Sequence, residues 1–340
     1  MIIQTAPGGP VEQFIAKMNH ASQVGGEVAS QDFTRSVSQN LATDSNSKYR
    51  GSVGIDPEII EKIKVLYGFD LPLWQRFTLM MKKFLTFDLG VSFYQDKKVT
   101  DLIWQKLPVS ISIGLWSTLL VYLISIPLGI KKALRDGSKF DIVSSGIVIV
   151  GHAIPSFLFA ILLIVFFAGG NFLSIFPLRG LVSENFSDLN FWQKIADYLW
   201  HMTLPIISMV VGGFAALTFF VKNSFLEEIN KQYVLTAYAK GLNQRSVLYK
   251  HVFRNAMMIV IAGFPAALIG ILFTGSMLTE VIFSLDGLGL LGYESALSRD
   301  YPVMFGTLYF FTIIGLITAI ISDFTYKMID PRLNFESLSS

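Results

Sequence analysis

The sequence predicts an all-α polytopic membrane protein, and three observations lead to that prediction. The chain of 340 residues has a mean hydropathy of +0.53. Only 15% of its residues are charged, whereas the surface of a soluble domain needs more charge. Several apolar stretches are long enough to cross about 30 Å of hydrocarbon at about 1.5 Å per helical residue.

Five stretches are predicted to span the bilayer. They contain no Asp, Glu, Lys or Arg, and His152 is their one histidine. Their prolines and glycines are compatible with membrane helices, where they allow kinks and close helix contacts. The predicted spans are residues 108–130, 142–168, 202–221, 256–278 and 303–322.

The distribution of basic residues predicts the orientation of these spans. The loops 131–141 and 222–254 hold four and six Lys or Arg residues, against two in 169–201 and one in 279–302. Because basic loops stay in the cytoplasm, 131–141 and 222–254 are predicted to be cytoplasmic. The transmembrane domain is then 108–326, followed by a cytoplasmic tail at 327–340.

The same orientation places residues 1–107 on the outer, periplasmic side. Residues 20–54 are poor in large apolar side chains, which predicts a flexible loop. Residues 56–106 have apolar residues at helical spacing and are predicted to fold. The initial residues Met-Ile-Ile are too short for a signal segment, so we expect a first transmembrane helix to precede Met1. The alternative is an N-terminus translocated unaided.

Sequence motifs for catalysis or nucleotide binding are absent. The string GLGLLG at 287–292 matches G-x-G-x-x-G but lies between two apolar spans rather than in a βαβ unit, so a dinucleotide site is rejected. We expect these glycines to let the chain turn back towards the membrane. With no Cys and four scattered His residues, neither a metal site nor a bound cofactor is expected. The net charge of +2 gives no indication of nucleic-acid binding.

Polar residues on the spans are candidates for a translocation pathway. His152 either contacts the pathway or is a neutral histidine bonded to a neighbouring helix. Glu280 and Asp323 lie at span ends, and the lack of a carboxylate inside a span disfavours a proton- or sodium-coupled carrier. The pathway candidates are Ser110, Ser117, His152, Ser208, Thr218, Thr274 and Ser276.

The 222–254 loop has the pattern of two short helices joined at a glycine. Gly241 is placed to end the first helix, and a second runs from 246 to 253 into the next span. Such a segment lies on a membrane surface or docks into a groove of a partner protein, and composition does not decide between the two. The first helix has an apolar stripe formed by Phe225, Leu226, Ile229, Tyr233 and Ala237.

The loop resembles that of the permeases of binding-protein-dependent ABC importers, in the dipeptide/oligopeptide group. The matching segments are TAYAKGL at 236–242 and HVFRNA at 251–256. The general E-A-A start of this motif is replaced by Leu-Thr-Ala at 235–237. Further similarity lies in APGGP at 6–10 and YGFDLPLWQRF at 67–77. The stretch FFAGGNFLSIFPLRGLVS and the long insert after APGGP most resemble the YejB-type permeases, linked to uptake of oligopeptides and microcin C.

This resemblance implies a six-span type I permease in the bacterial inner membrane. It implies a second, similar permease, two cytoplasmic ATPase domains that bind the ATP, and a periplasmic binding protein that delivers peptide. The alternatives left open are an ATP-independent carrier or channel and a membrane scaffold. The resemblance implies coupling to the ATPase through Tyr233, Thr236, Ala237, Ala239, Lys240, Gly241, Leu242 and Arg245.

Overall fold

The structure is a computed structural model that describes residues 71–168, 172–270 and 277–329. The predictions for 1–70, for the tail beyond 329 and for Thr274 and Ser276 lie outside these residues. The helices, in chain order, are α1 (Leu73–Leu85), α2 (Val99–Leu134), α3 (Lys139–Ala153), α4 (Ser156–Phe167), α5 (Phe191–Ile229), α6 (Gln232–Ala239), α7 (Gln244–Val247), α8 (Phe253–Ala262), α9 (Phe264–Gly270), α10 (Met277–Ile282), α11 (Leu288–Ser298) and α12 (Tyr301–Ile329).

The described chain forms two compact units. The first comprises 71–100 and 295–306, and the second comprises 101–294 and 307–329. The predicted all-α class is confirmed. In the second unit an apolar core joins α2, α4 and α5, and another joins the end of α2 to the 222–254 loop.

The long apolar helices agree with the predicted spans. Val99–Leu134, Phe191–Ile229, Gln244–Gly270 and Tyr301–Met328 are each long and apolar enough to cross a bilayer. The third of these begins well before the predicted residue 256, because the second loop helix continues directly into the span through a π-helical segment, Leu248–Val252.

The span expected at 142–168 is not one continuous helix. α3 and α4 meet at an angle of 89°. Pro155 has no N–H to continue the helical hydrogen bonds, and Ile154 before it adopts an extended conformation with ψ of 119°. The sequence predicts a span here with Pro155 tolerated inside it, and the structure shows that the helix pair is broken at this proline.

The first unit is held together by hydrogen bonds around a buried aspartate. Asp300 accepts from the Ser92 hydroxyl at 2.5 Å and from the Phe93 amide at 3.3 Å. The Tyr94 hydroxyl donates to the Ser298 carbonyl at 2.6 Å. These bonds join the segment before α2 to the segment before α12.

Candidate functional site in the 222–254 loop

The turn after α6 is a Schellman motif that requires a glycine. Gly241 has φ of +83°, a conformation that strains residues with a Cβ. Its amide donates to the Tyr238 carbonyl at 2.9 Å, and the Leu242 amide donates to the Ala237 carbonyl at 3.3 Å. Asn243 then caps α7 by accepting from the Ser246 amide at 2.8 Å. The local geometry is the helix–glycine–helix that the sequence predicts.

The first loop helix does not run unbroken from Phe225 to Gly241, as the stripe had suggested. α5 extends to Ile229, and the chain bends at Asn230 and Lys231 before α6 begins. The Asn230 side-chain amide donates to the Leu226 carbonyl at 2.9 Å, closing the end of α5. The apolar stripe is therefore divided between two helices.

The stripe also faces the interior of this chain. Phe225 and Ala237 are buried, and Leu226, Ile229 and Tyr233 pack against the same core. The stripe is therefore not available for docking into a partner protein, and any docking surface must lie elsewhere on the loop. The core already covers the stripe, so these side chains stabilise the loop itself.

A different face of α6 is exposed. We call Leu235, Tyr238, Ala239 and Leu242 the outer face; all four are exposed. Leu235, Tyr238 and Ala239 lie at i, i+3 and i+4, so α6 is apolar on a second side, and Leu242 follows just beyond the left-handed turn at Gly241. The sequence analysis included Ala239 and Leu242 but missed Leu235 and Tyr238, although this spacing was visible.

The structure separates the eight predicted coupling residues into two groups. Tyr233 is half-buried and Ala237 is buried. The exposed group consists of Thr236, Ala239, Lys240, Gly241, Leu242 and Arg245.

A polar network centred on Tyr233 connects α5, α6 and α8. The phenol hydroxyl donates to Glu228 Oε2 at 2.6 Å and accepts from Asn255 Nδ2 at 3.2 Å. Burial, assisted by the bond to Glu228, raises the pKa of Tyr233 to about 12, so the phenol remains a donor at physiological pH. Glu228 also pairs with Lys231 and raises the pKa of that lysine. The Glu228 side chain is itself largely buried.

Two of the basic residues used to predict orientation belong to a buried ion network. Lys132 is fully buried, and its Nζ lies 3.0 Å from Asp141 Oδ1 and 2.6 Å from the Ser145 hydroxyl. Lys222 Nζ lies 2.8 Å from both Asp141 Oδ2 and Asp136 Oδ1. The network joins the ends of α2, α3 and α5. The sequence did contain a signal for this network, because its charged residues lie directly at the ends of three predicted spans.

The pathway candidates within the described residues are mostly helix contacts. Ser117, Ser208 and Thr218 are fully buried. Ser208 and Thr218 donate to carbonyls of their own helix, that of Pro205 and that of Phe214, each at 2.7 Å. A role in the pathway stays a prediction for all of them.

His152 is exposed in this chain, close to the bend between α3 and α4. Its Nδ1 lies 3.3 Å from the Gly212 carbonyl of α5. This is the contact with a neighbouring helix that the second interpretation of His152 expects.

Glu280, predicted to lie at the end of a span, is fully buried within the protein. It accepts from the Ser110 hydroxyl at 2.9 Å and from the Leu290 amide at 2.8 Å, while Ser110 in turn accepts from the Leu288 amide. Glu280 and Ser110 thus cap the N-terminus of α11. Glu280 lies outside the apolar helices that are long enough to span a bilayer, so the argument from charge-free spans against a coupled carrier is unchanged.

The glycines of GLGLLG make room for this carboxylate. A Cβ on Gly287 would lie 2.4 Å from the Glu280 carboxyl carbon, and one on Gly289 would lie 2.9 Å from the Met277 Cα. Neither glycine has a positive φ, so what requires glycine here is close approach, at the start of α11 where the chain turns from α10. Among the described residues, no group of three or more His, Cys, Asp or Glu is placed to hold a metal ion.

Comparison with known proteins identifies the family. Residues 125–335 match the family described as "Binding-protein-dependent transport system inner membrane component". The chain is 56% identical over 340 aligned positions to an inner membrane ABC transporter permease protein, YejB, of Escherichia coli O157:H7, with 98% of this chain and 93% of that protein covered. It is also 56% identical to a peptidoglycan transport system permease protein, YejB, of Agrobacterium fabrum, with 99% and 92% covered.

More distant similarities agree. A dipeptide transport system permease protein, DppB, of Bacillus subtilis is 31% identical, with 84% of this chain and 88% of that protein covered. In fold, the chain resembles a chain of the MetNI methionine ABC transporter in an inward-facing conformation, with a TM-score of 0.53, 18% identity, and 68% and 97% covered. The chain belongs to the family of binding-protein-dependent transport system inner membrane components and has the fold of an ABC importer permease.

Proposed function

We propose that the chain is the membrane-spanning permease of a peptide importer driven by separate ABC ATPase subunits in the bacterial inner membrane. The observation that carries this proposal is 56% identity to an ABC transporter permease over nearly the whole of both chains. The partners are a second permease, the ATPase subunits and a periplasmic peptide-binding protein. The C-terminus lies in the cytoplasm, as the basic loops favour.

The outer face of α6, together with Lys240 and Arg245, is the surface that meets the ATPase. It is exposed, apolar at its centre and basic beside Gly241. Glu228, Tyr233 and Asn255 then connect α6 to α5 and α8, so a displacement of α6 moves both helices. Alternating access follows as a rigid-body transition of these helices.

The substrate class is peptides, with the binding protein providing much of the selection. The related dipeptide and oligopeptide permeases support this class. The Agrobacterium relative named for peptidoglycan transport supports cell-wall peptides as a second candidate at equal identity. Microcin C is a further peptide-like candidate.

A change on the outer face tests the coupling role. We expect Leu235→Asp to weaken retention of the ATPase during purification by at least about tenfold, because an exposed apolar residue that the ATPase would cover is replaced by a charge. Leu297→Asp is the matched control, since Leu235 and Leu297 are 64% and 66% exposed. ATPase stimulation by peptide-loaded binding protein should fall in the first variant alone.

Normal retention and stimulation in Leu235→Asp would contradict docking through this face. A substitution at Gly241 is a weaker test of ATPase docking, because any residue with a Cβ strains the turn there. Growth of a deletion strain on defined oligopeptides, on cell-wall peptides and with microcin C then distinguishes the substrates.

A further inference from the structure

The amphipathic helix α1 exposes a strip of large apolar side chains. Trp74 is 72% exposed, Leu85 is 74% exposed and Met81 is 41% exposed. At 100° per residue these three residues fall within about 40° of one another around the helix. Phe87, just beyond the helix, is 61% exposed. Exposed Thr78 lies between Trp74 and Met81 on this side of the helix. Several large apolar side chains exposed on one side of a helix mark an interaction site.

The charges on α1 are all of one sign. Between residues 71 and 87 the charged residues are Arg76, Lys82 and Lys83, with no Asp or Glu. Lys82 and Lys83 are exposed. At 100° per residue Lys82 lies beside the strip, about 60° from Leu85, and Lys83 lies on the opposite side. Basic residues beside and opposite a strip of Trp, Leu and Met are typical of a helix that lies in the membrane interface. The positive charge is complementary to anionic lipid headgroups.

The chain holds α1 close to the start of a membrane-spanning helix. Only residues 86–98 separate α1 from α2, and this connection folds back on itself. The Val99 amide donates to the Gly90 carbonyl at 3.0 Å, and the Ser92 amide donates to the Lys97 carbonyl at 2.9 Å. The C-terminal end of α1 is thereby kept near the first turn of α2.

We propose that α1 is an interfacial helix that binds an anionic bilayer surface. Trp74, Met81 and Leu85 insert among the acyl chains, and Lys82 and Lys83 contact the headgroups. This function goes beyond peptide transport and requires only that α2 crosses the bilayer. It fixes the segment that precedes α2 on the membrane surface.

Lipid-quenching measurements test the insertion directly. The chain contains no Cys, so Trp74→Cys and Leu85→Cys each give it one site for an environment-sensitive fluorophore. Leu79→Cys is the matched control, because Leu79 is a 46% exposed leucine about 140° from the strip. The full chain with its partner subunits is placed in nanodiscs of phosphatidylethanolamine and phosphatidylglycerol, and unsubstituted complex gives the background.

We expect nitroxide-labelled lipids to reduce emission at positions 74 and 85 by at least about twofold, while aqueous iodide quenches position 79. Quenching of the strip positions by iodide would overturn the proposal. Protection of the strip positions from both quenchers would also overturn the proposal, in favour of a protein partner. Protection that appears only on adding the binding protein would do the same.

The headgroup contact is tested by charge and composition. With the label at position 85, the double variant Lys82→Glu/Lys83→Glu should reduce lipid quenching to the level found in pure phosphatidylcholine nanodiscs. Quenching that is equal in the two lipid compositions, or unaffected by the double variant, would overturn the role of anionic lipid. Intact assembly on size-exclusion chromatography serves as the folding control for each variant.

Discussion

Asp141 and Glu280 are two buried carboxylates of the second compact unit, and they are stabilised in different ways. Asp141 lies between the ammonium groups of Lys132 and Lys222. Glu280 accepts from a serine hydroxyl and from a backbone amide at the start of α11. The first arrangement depends on matched charges, whereas the second depends on helix-end dipoles and on space.

This difference shows that the Asp141 site and the Glu280 site tolerate different kinds of substitution. At Asp141 the removal of one ion leaves another buried without compensation. At Glu280 the critical neighbours are glycines, because the carboxylate occupies the place of their missing Cβ atoms. Charge substitutions should therefore be most harmful at the first site and size substitutions at the second.

Asp141→Ala should have the largest effect. It leaves the fully buried Lys132 without its carboxylate partner, which costs about 3–5 kcal/mol of unfolding free energy. Denaturant unfolding of the detergent-solubilised chain measures this loss. The double variant Asp141→Ala/Lys132→Met should recover much of the stability. A single variant as stable as the parent would show that the ion network is dispensable.

Gly287→Ala should have the next largest effect, about 1–3 kcal/mol, because the added methyl group collides with the Glu280 carboxylate. Gly292→Ala is the matched control within the same motif, since a Cβ there meets no atom within 4 Å. Unfolding free energies of the two variants should differ clearly. Equal values would mean that Glu280 is not held against Gly287.

Tyr233→Phe should have the smallest effect of the three, about 1–2 kcal/mol, from loss of the bond to Glu228. The pKa of Tyr233 is raised to about 12 from an ordinary value near 10. The folded state therefore favours the protonated phenol. Its contribution to stability is complete below about pH 10 and is lost as the pH rises towards 12.

The pH dependence of unfolding in the parent and in Tyr233→Phe tests this assignment. The stability difference should be constant from pH 7 to about 10 and shrink above that range. A difference that already shrinks below pH 9 would contradict the assignment. Tyr233→Phe should also weaken transmission from α6, so peptide-stimulated ATPase activity should fall more than ATPase retention.

Much of this molecule can be predicted from the sequence, because hydropathy and short local motifs carry the necessary information. The apolar spans, the turn at Gly241 and the family were all predicted, since each depends on residues that are close together in the chain. The break at Pro155 was not predicted. Pro108, Pro127 and Pro205 all lie inside continuous helices, so a proline in an apolar stretch does not by itself indicate a break. Sequence alone does not distinguish a proline that breaks a helix from one that does not.

The contacts between distant residues were harder to predict. Lys132 and Lys222 were treated as loop charges because their partner, Asp141, is identified only by packing of three helices. Glu280 was placed at a span end, and its burial was not predicted because its partner Ser110 is 170 residues away. The stripe from Phe225 to Ala237 was correctly recognised as apolar, but its direction, towards the core, depends on the bend at Asn230 and Lys231.

The energy source is the most informative quantity to measure, because it separates an ATP-driven importer from an ion-coupled carrier. Proteoliposomes that contain this chain with its permease and ATPase partners are loaded with ATP and given peptide-charged binding protein outside. We predict accumulation of labelled peptide that requires ATP and persists when a protonophore has abolished ion gradients. Uptake without ATP, driven by a proton or sodium gradient, would contradict the assignment of this chain as the permease of an ATP-driven peptide importer.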